Sequence, residues 1–504
     1  MLRRISALLL CTLLCISTLL LVSCNKDGGE GSNSGIKEFG SASDKGFLNE
    51  QIDWQGETIT VLGYNGEFSY HSIQIATEEQ TGEALNDAFY ERNAKIEELF
   101  NLNIKVELPG TGEDTGVMIK NAVLGNSADY DAVVAPLYIL GLYLPEDIFL
   151  DFNSIENDYL HLDEAWWDQE LQKQVAVNGS VYFIAGDALI EDDEATWAMF
   201  FNKDMYNSNA NLAERGSIYD IVKNGEWTLD VMYEMISDVE YSTGEQKVWH
   251  PDSEDKWGMV TQMLDFYLFM QGCGQTMIDN TGDVPELRGG TEENINTFYD
   301  VAAVLLDEEN VGCAELHVSW NDGHPYQMKR QIFGNGNALF MPNQLAVIGQ
   351  SEISEAEINY GLLPMPKKNE NQEYYTSGVE VYHYSAIALP ATAQGKKLEA
   401  TCYALEAMAY YGNQIVNDDY YERTLTYRRF KDDESGDMLE LILSNKTYDM
   451  GAIFNFKGGE GMHGTLGFYT DLYIEKRTDI VSHWESVVNS YQTGINKFVE
   501  QCNS

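Results

Sequence analysis

Between Thr58 and Pro136 the spacing of apolar residues switches back and forth between two and about 3.6, and this alternation restricts the fold more than any other feature. Thr58-Ile-Thr-Val-Leu-Gly alternates and stops on glycine, as a buried strand does. From Gly82 to Phe100, the residues Leu85, Ala88, Phe89, Ile96, Leu99 and Phe100 recur at helical spacing, with Glu and Arg on the other face. Asn103 to Leu108 reads as a second strand, Val117 to Leu124 as a second helix, and Tyr130-Asp-Ala-Val-Val-Ala-Pro as a third strand. Strands separated by helices form a parallel sheet with crossover connections. Ligands of such sheets sit at the carboxyl ends of the strands. That places Tyr64 and Asn65 after the first strand, and Pro136, Leu137 and Tyr138 after the third, at a candidate site.

The amino-terminal region has a different character. Arg3 and Arg4 precede an almost wholly apolar run from Ile5 to Val22, and Leu21-Val22-Ser23-Cys24 closes it. A run of roughly 18 apolar residues approaches a membrane span. Its position, and its end in a small residue and a cysteine, read better as a cleaved secretory signal over residues 1–23. The sequence resembles a lipobox, in which the Cys24 thiol carries diacylglycerol through a thioether. Residues 24–51 then form the lipidated cysteine and a Gly/Ser/Asn-rich tether that cannot bury enough apolar surface to fold. Such a coil reaches roughly 30 Å. Asn25 rather than Asp follows the cysteine, so no inner-membrane retention mark is present; a lipid anchor on the outer face of a single-membrane, Gram-positive cell fits this arrangement.

Roughly 450 residues remain, typical of two domains. The formal charge of −50 becomes −52 once Arg3 and Arg4 leave, and such a field excludes nucleic acid and disfavours lying flat on an anionic membrane. The plainer meaning of the acidity is a solvated exterior. In the mature chain Cys273, Cys313, Cys402 and Cys502 remain besides Cys24. An exported location permits disulfides; Cys273–Cys313 with Cys402–Cys502 is the preferred pairing, and four buried free thiols the alternative.

Further along, Val181-Tyr-Phe-Ile-Ala-Gly-Asp reads as a strand entering an acidic loop, Glu191 to Glu194. Trp197 to Asn202 is a strand, and Thr228 caps a helix with Asp230 in its first turn. Gln331 to Pro342 reads as helix end, glycine turn and strand; Tyr360-Gly-Leu-Leu-Pro-Met-Pro and Tyr384-Ser-Ala-Ile-Ala-Leu-Pro are short strands, and the remainder from Leu398 is mostly helical.

These landmarks, in this order, resemble the extracellular solute-binding lipoproteins of ABC importers, carbohydrate type, related to maltose-binding protein. The resemblance runs from about residue 57 to 500 and rests on Phe200-Phe-Asn-Lys-Asp-Met-Tyr, Glu226-Trp-Thr, Gly334-Asn-Gly-Asn-Ala-Leu-Phe and Tyr360-Gly-Leu-Leu-Pro-Met-Pro; the Gly82–Phe100 helix is similar to one in clostridial members. It implies an α/β, two-lobed periplasmic-binding-protein-like fold, each lobe a mixed sheet flanked by helices, with a three-segment hinge. Crossings are expected near 188–196, 340–343 and 380–387. The N-terminal lobe would hold 52–190 plus 341–382, and the C-terminal lobe 191–340 plus 383–504. The implied function is a monomeric, non-catalytic receptor that captures a small solute, most naturally an oligosaccharide, between the lobes and delivers it to ABC permease subunits. No cofactor or metal is implied.

Sugars require flat aromatic faces for their C–H surfaces and planar polar groups for their hydroxyls. By the resemblance, the cleft candidates are Tyr64, Asn65, Tyr138, Asp187, Glu191, Trp197, Asp265, Phe266, Tyr267, Asn343, Gln344 and Glu380. Each has a blander meaning: a lone aromatic is more often core than platform, and Trp166, Trp167 and Trp227 read as packing, with Trp320 as well placed for either role. Where some relatives carry Trp after the glycine turn and strand, this chain has Pro342-Asn343-Gln344, which favours hydrogen bonding over stacking and argues against a maltose-like ligand. The acids at 191–194 are ordinarily a solvated loop; at a hinge they could bind a cation or an amine. Competing functions are therefore a receptor for an amine or peptide, and a surface glycoside hydrolase with two opposed carboxylates. No Gly-x-Ser-x-Gly, His-Glu-x-x-His or Walker-type Gly-Lys-Ser/Thr motif occurs, and His317 with His324 lacks metal-ligand spacing. Replacing Cys24 by Ser is expected to abolish incorporation of a palmitate analogue and to leave an uncleaved precursor; labelling and mobility unchanged from wild type would refute lipidation at Cys24.

Overall fold

The structure is a computed structural model; it describes residues 52–502 apart from 66–74, 78, 240–243, 245–246, 283, 320, 322, 418–431, 433 and 458–463. The signal, Cys24, the tether and Trp320 lie outside the described residues.

Strand β1 (Glu57–Leu62) is followed by helix α1 (Ala84–Phe100), β2 (Leu102–Glu107), α2 (Gly112–Leu124) and β3 (Ala132–Pro136). Both β2 and β3 pair parallel to β1, as the alternating period requires. Helix α2 begins earlier than its apolar pattern shows, because Thr111 and Asp114 cap it reciprocally. A second sheet contains β4 (Trp197–Asn202), β5 (Trp257–Thr261), β6 (Val311–Cys313), β7 (Ala338–Gln344) and β8 (Tyr360–Leu363) in the order β8-β4-β7-β5-β6. It is mixed: β8 and β7 run antiparallel to β4, and β5 runs parallel to both β7 and β6. Helix α3 (Leu229–Ser237) has Thr228 as its cap, α4 (Asp265–Gly272) follows β5, and α5 (Pro325–Gly334) precedes β7. Strand β9 (Ser385–Ala388) returns to the first sheet antiparallel to β3, completing the order β9-β3-β1-β2. Two mixed sheets flanked by helices are the two lobes.

The pairings depart from the expected division. The 340–343 segment is not a crossing but the interior of β7, and β8, expected in the first lobe, pairs with β4 of the second sheet. Conversely β9 and helix α6 (Gly395–Tyr411), expected in the second lobe, belong with the first sheet: α6 packs on β1 and α1. The chain thus passes between sheets before β4, between β8 and β9, and again between Tyr411 and Glu434, where the next helix packs on β8. The family resemblance alone implies a crossing there, and a proline within a strand removes a ladder donor. Here Pro342 lies beyond Phe340, the last residue of β7 paired with β5, so that edge has no ladder bond to lose. The 181–187 segment forms single bridges rather than a strand, and the 191–194 acids form one helical turn.

Polar groups are matched at the junctions. Arg92 of α1 is fully buried; it donates from Nη1 to the Ala188 carbonyl (2.8 Å) and from Nη2 to the Ile75 carbonyl. Trp166 and Trp167 are packing residues, as expected, and both indole N–H groups donate to Glu406 of α6. All four cysteines are free, which rules out the preferred pairing: Cys273, Cys313 and Cys402 are buried in separate elements and Cys502 ends the last helix.

The acids at 191–194 serve the fold. Lys446 Nζ donates to Asp192 (2.7 Å) and Asp193 (2.9 Å) and lies 3.3 Å from Asp168. These carboxylates hold the ammonium well above its usual pKa against the effect of burial, led by Asp192. Removing one partner of a buried ionic group leaves uncompensated charge, at a cost of about 3–5 kcal/mol. Lys446→Met is therefore expected to lose about 3 kcal/mol in urea unfolding at neutral pH; a loss below about 0.5 kcal/mol would show that the cluster does not hold the junction.

Candidate functional site

A cavity of about 610 Å³ opens beside the carboxyl end of β7. Its lining includes Trp197 from β4, Asn343 and Gln344 from β7, Gln262 after β5, and His324, Tyr326 and Arg330 around α5. The segment linking β8 to β9 contributes Glu380, Tyr382 and His383, and the carboxyl-terminal region adds Asn455, Lys457, Thr470 and Asp471. Most of the lining surface is apolar, from the rings of Trp197, Tyr326 and Tyr382 and from Met263, Leu264 and Leu466, with planar polar groups set among them.

Local folding explains the arrangement. Trp197 and Gln344 are register partners, as are Ala198 and Asn343, so two antiparallel strands bring an indole and two amides to one edge. His324 caps α5 by accepting the Gln327 N–H (3.3 Å), which places its ring and the first turn of α5 at the cavity. Glu380 accepts the backbone N–H groups of Tyr382 (3.0 Å) and His383 (3.2 Å) and lies 2.8 Å from His383 Nδ1. The same Nδ1 is 2.7 Å from Gln344 Oε1. With two acceptor oxygens beside it, Nδ1 carries the proton. His383 therefore ties the β8–β9 link to the end of β7.

Of the twelve expected ligand contacts, four line this cavity: Trp197, Asn343, Gln344 and Glu380. Tyr138 reaches the rim indirectly, its ring 5.2 Å from that of Tyr382 at an edge-on 65°. Tyr64 and Asn65 lie at the end of β1, where Tyr64 Oη is 2.9 Å from Ser385 Oγ and Asn65 Nδ2 donates to the Leu108 carbonyl; neither lines the cavity. Asp265 is buried beneath it, accepting the Trp197 indole N–H (3.0 Å). Phe266 and Tyr267 are core residues of α4, Phe266 packed on Phe298 and Tyr473, and Tyr267 donating to Asp449. Asp187 is half-buried away from the cavity, held by Asn413 and Asn417 Nδ2 at 2.8 Å each. Glu191 is fully buried, with Oε1 lacking a hydrogen-bond partner among the described residues.

Gln262, Tyr326, Arg330, Tyr382, Asn455 and Lys457 are lining residues that no sequence signal marks. Isolated polar residues at strand and helix ends carry no periodic signal; only the cap at His324-Pro325 could have drawn attention to α5. Among the described residues no group of His, Cys, Asp or Glu could hold a metal ion, and no helix is long and apolar enough to cross a membrane.

Comparison with solved structures identifies the fold. An ABC substrate-binding protein from Listeria monocytogenes in complex with cycloalternan superposes with a TM-score of 0.53 at 12% identity, covering 88% of this chain and 98% of that one. A cyclo/maltodextrin-binding protein complexed with maltotetraose gives 0.55 at 14%, covering 87% and 97%. The cyclic alpha-maltosyl-1,6-maltose binding protein from Arthrobacter globiformis gives 0.55 at 9%, covering 88% and 99%. The chain therefore has the two-lobed fold of these binding proteins along nearly all of its described length. No family model matches it, and no curated protein matches it.

Burial pushes the Glu191 carboxyl up to about 8, with Glu194 adding repulsion and backbone N–H bonds opposing the rise. A carboxyl whose folded pKa exceeds its unfolded value binds more protons when folded, so its contribution falls as pH rises from about 4.3 toward 8. Glu191→Gln should therefore gain stability over wild type as pH is raised from about 5 to 8, by a few kcal/mol at 1.36 kcal/mol per pKa unit. Parallel stability curves for the two proteins across that range would contradict a Glu191 carboxyl held protonated by burial.

Proposed function

We propose that this chain is the solute receptor of an ABC importer and that its ligand is an oligosaccharide. The observation that carries the reading is the cavity itself: about 610 Å³, with indole and phenol surface beside amide, guanidinium and imidazole groups at the edge of β7. Hydroxyl-rich ligands match this combination. Supporting it, the solved structures of the same fold include proteins bound to cycloalternan and to maltotetraose. On this reading the lobes follow the sheets, and Tyr64, Asn65 and Tyr138 of the first lobe close over a ligand seated against the second. Closure of two lobes about crossing segments is the usual signal of such receptors. Cys24 then holds the receptor by lipid at the outer face of the membrane, within reach of the permease.

The amine reading loses its supporting feature. Asp192 and Asp193 already hold an internal ammonium, Lys446, and none of residues 191–194 lines the cavity. The hydrolase reading is weakened at Glu380, one of two acids in the lining. Its carboxylate is surrounded by the N–H groups of Tyr382 and His383, rather than poised toward a scissile bond.

A thermal-shift screen of the mature chain against gluco-, xylo-, manno- and galacto-oligosaccharides, polyamines and peptides tests the substrate class. A ligand at a hundred times its Kd should add about 2.7 kcal/mol. Tyr382, 42% exposed at the rim, can be truncated without disturbing the core; Tyr382→Ala should weaken the sugar that binds about tenfold, or about 1.4 kcal/mol. Stabilisation by a polyamine with none from any carbohydrate would overturn the proposal.

A further inference from the structure

Trp197 lines the cavity although the residue is only 1% exposed, so a small facet of its indole meets the ligand space. What fixes that facet lies behind it. Asp265, fully buried, accepts the indole N–H on Oδ1 (3.0 Å). Its other oxygen accepts the Gln262 backbone N–H (2.7 Å) and faces Lys329 Nζ at 3.3 Å.

Lys329 is also fully buried and matches its three protons to three acceptors: Asp265 Oδ2, Gln262 Oε1 (3.1 Å) and the Pro342 carbonyl (2.8 Å). Its Nζ lies 5.9 Å from the centroid of the Trp197 ring. Gln262 and Asn343, the residue after Pro342, line the cavity beside Trp197, whereas Asp265 and Lys329 do not. Two residues that never reach the ligand space thus hold three that do, on β4, on β7 and in the loop after β5.

A buried ion pair is a poor way to add stability, since well-packed apolar residues often do as well or better. It is an effective way to fix geometry. Resting on the receptor reading of the cavity, we propose that Asp265 and Lys329 are positioning residues that set the Trp197 indole as a floor of the binding cavity and so determine which ligand faces fit against it.

The arrangement has a pH signature. Burial pushes the Asp265 carboxyl up to about 6, opposed by Lys329 and the Gln262 N–H, while burial lowers Lys329. The other charged or titratable groups facing the pair are Arg330 and Tyr326 on α5, Cys313 at the end of β6, Glu315 just beyond it, and Tyr473. Protonating Asp265 weakens the acceptor that orients the indole.

The test is the indole ¹H–¹⁵N resonance of Trp197 in the ligand-free mature chain, assigned through Trp197→Phe and followed from about pH 5 to 8. The expected result is a titration with its midpoint near 6. Asp265→Asn should abolish that titration, and Lys329→Met should move it to higher pH. A resonance that stays fixed over this range in wild type, or a titration that survives Asp265→Asn, would overturn the proposal. Should Asp265→Asn fail to fold, the wild-type profile and the direction of the Lys329→Met shift decide the matter. Maltotetraose and xylotetraose titrations form a separate arm. Absence of binding to wild type counts against the receptor reading, while the indole titration continues to judge the positioning role. Binding that weakens as pH falls in wild type but stays level in Asp265→Asn supports both.

Discussion

The fold depends on one ammonium group among acids. Lys446 gathers Asp168, Asp192 and Asp193, so it joins the segment leading into the second sheet to a strand that follows the last passage between the sheets. A chain that crosses between two sheets repeatedly must place backbone and side-chain polar groups at the crossing without water to satisfy them. Charge pairing at that point meets the requirement. It also decides what the acids cannot do: carboxylates committed to Lys446 are not available to a ligand. The same economy is seen at Arg92, whose guanidinium spends itself on the Ala188 and Ile75 carbonyls and so ties α1 to the approach of β4.

Composition alone would suggest an aromatic-lined cleft, since the chain has thirty tyrosines and nine tryptophans. Most of the large rings instead fill the cores. Tyr267, Tyr384, Tyr403, Tyr448, Tyr469, Tyr473 and Tyr491 are buried, and Trp54, Tyr159, Phe100 and Tyr403 form one cluster of edge-on and tilted rings under the first sheet. The cavity keeps only the rings of Trp197, Tyr326 and Tyr382, in a lining whose surface is mostly apolar with amide and charged groups set into it.

The first lobe was legible because its signal is local: a strand, a helix and a strand each carry their own period, and burial on the sheet follows from it. The strands at 197–202, 338–344, 360–363 and 385–388 were legible as well, but not their partners. Pairing depends on contacts over more than a hundred residues, such as β9 beside β3, and a short apolar strand looks the same in either sheet. The crossing expected near 340–343 came from the resemblance, whereas these residues finish β7. Of the cavity lining, Trp197, Asn343, Gln344 and Glu380 could be anticipated because they stand next to recognisable strands or crossings. Phe266 and Tyr267 misled because a helical aromatic run has the same appearance whether it faces a cleft or the core. Here Asp449 and Phe298 claim them for the core.

The cavity is unevenly built, and that unevenness bears on mechanism. Nearly all its walls come from the second sheet and the carboxyl-terminal helices, while the first lobe reaches it through Tyr138 against Tyr382. His383 connects the link carrying Tyr382 to Gln344 at the end of β7. A ligand that engages Gln344 or His383 therefore acts on a segment that leads directly into β9 of the first sheet. On the proposed receptor function, binding to one lobe would in this way bear on the orientation of the other without a large contact surface from both. On that same proposed function, the free energy available for closure is the differential affinity of the ligand for the two arrangements, and the His383 contacts are the link through which it would reach the crossing segment.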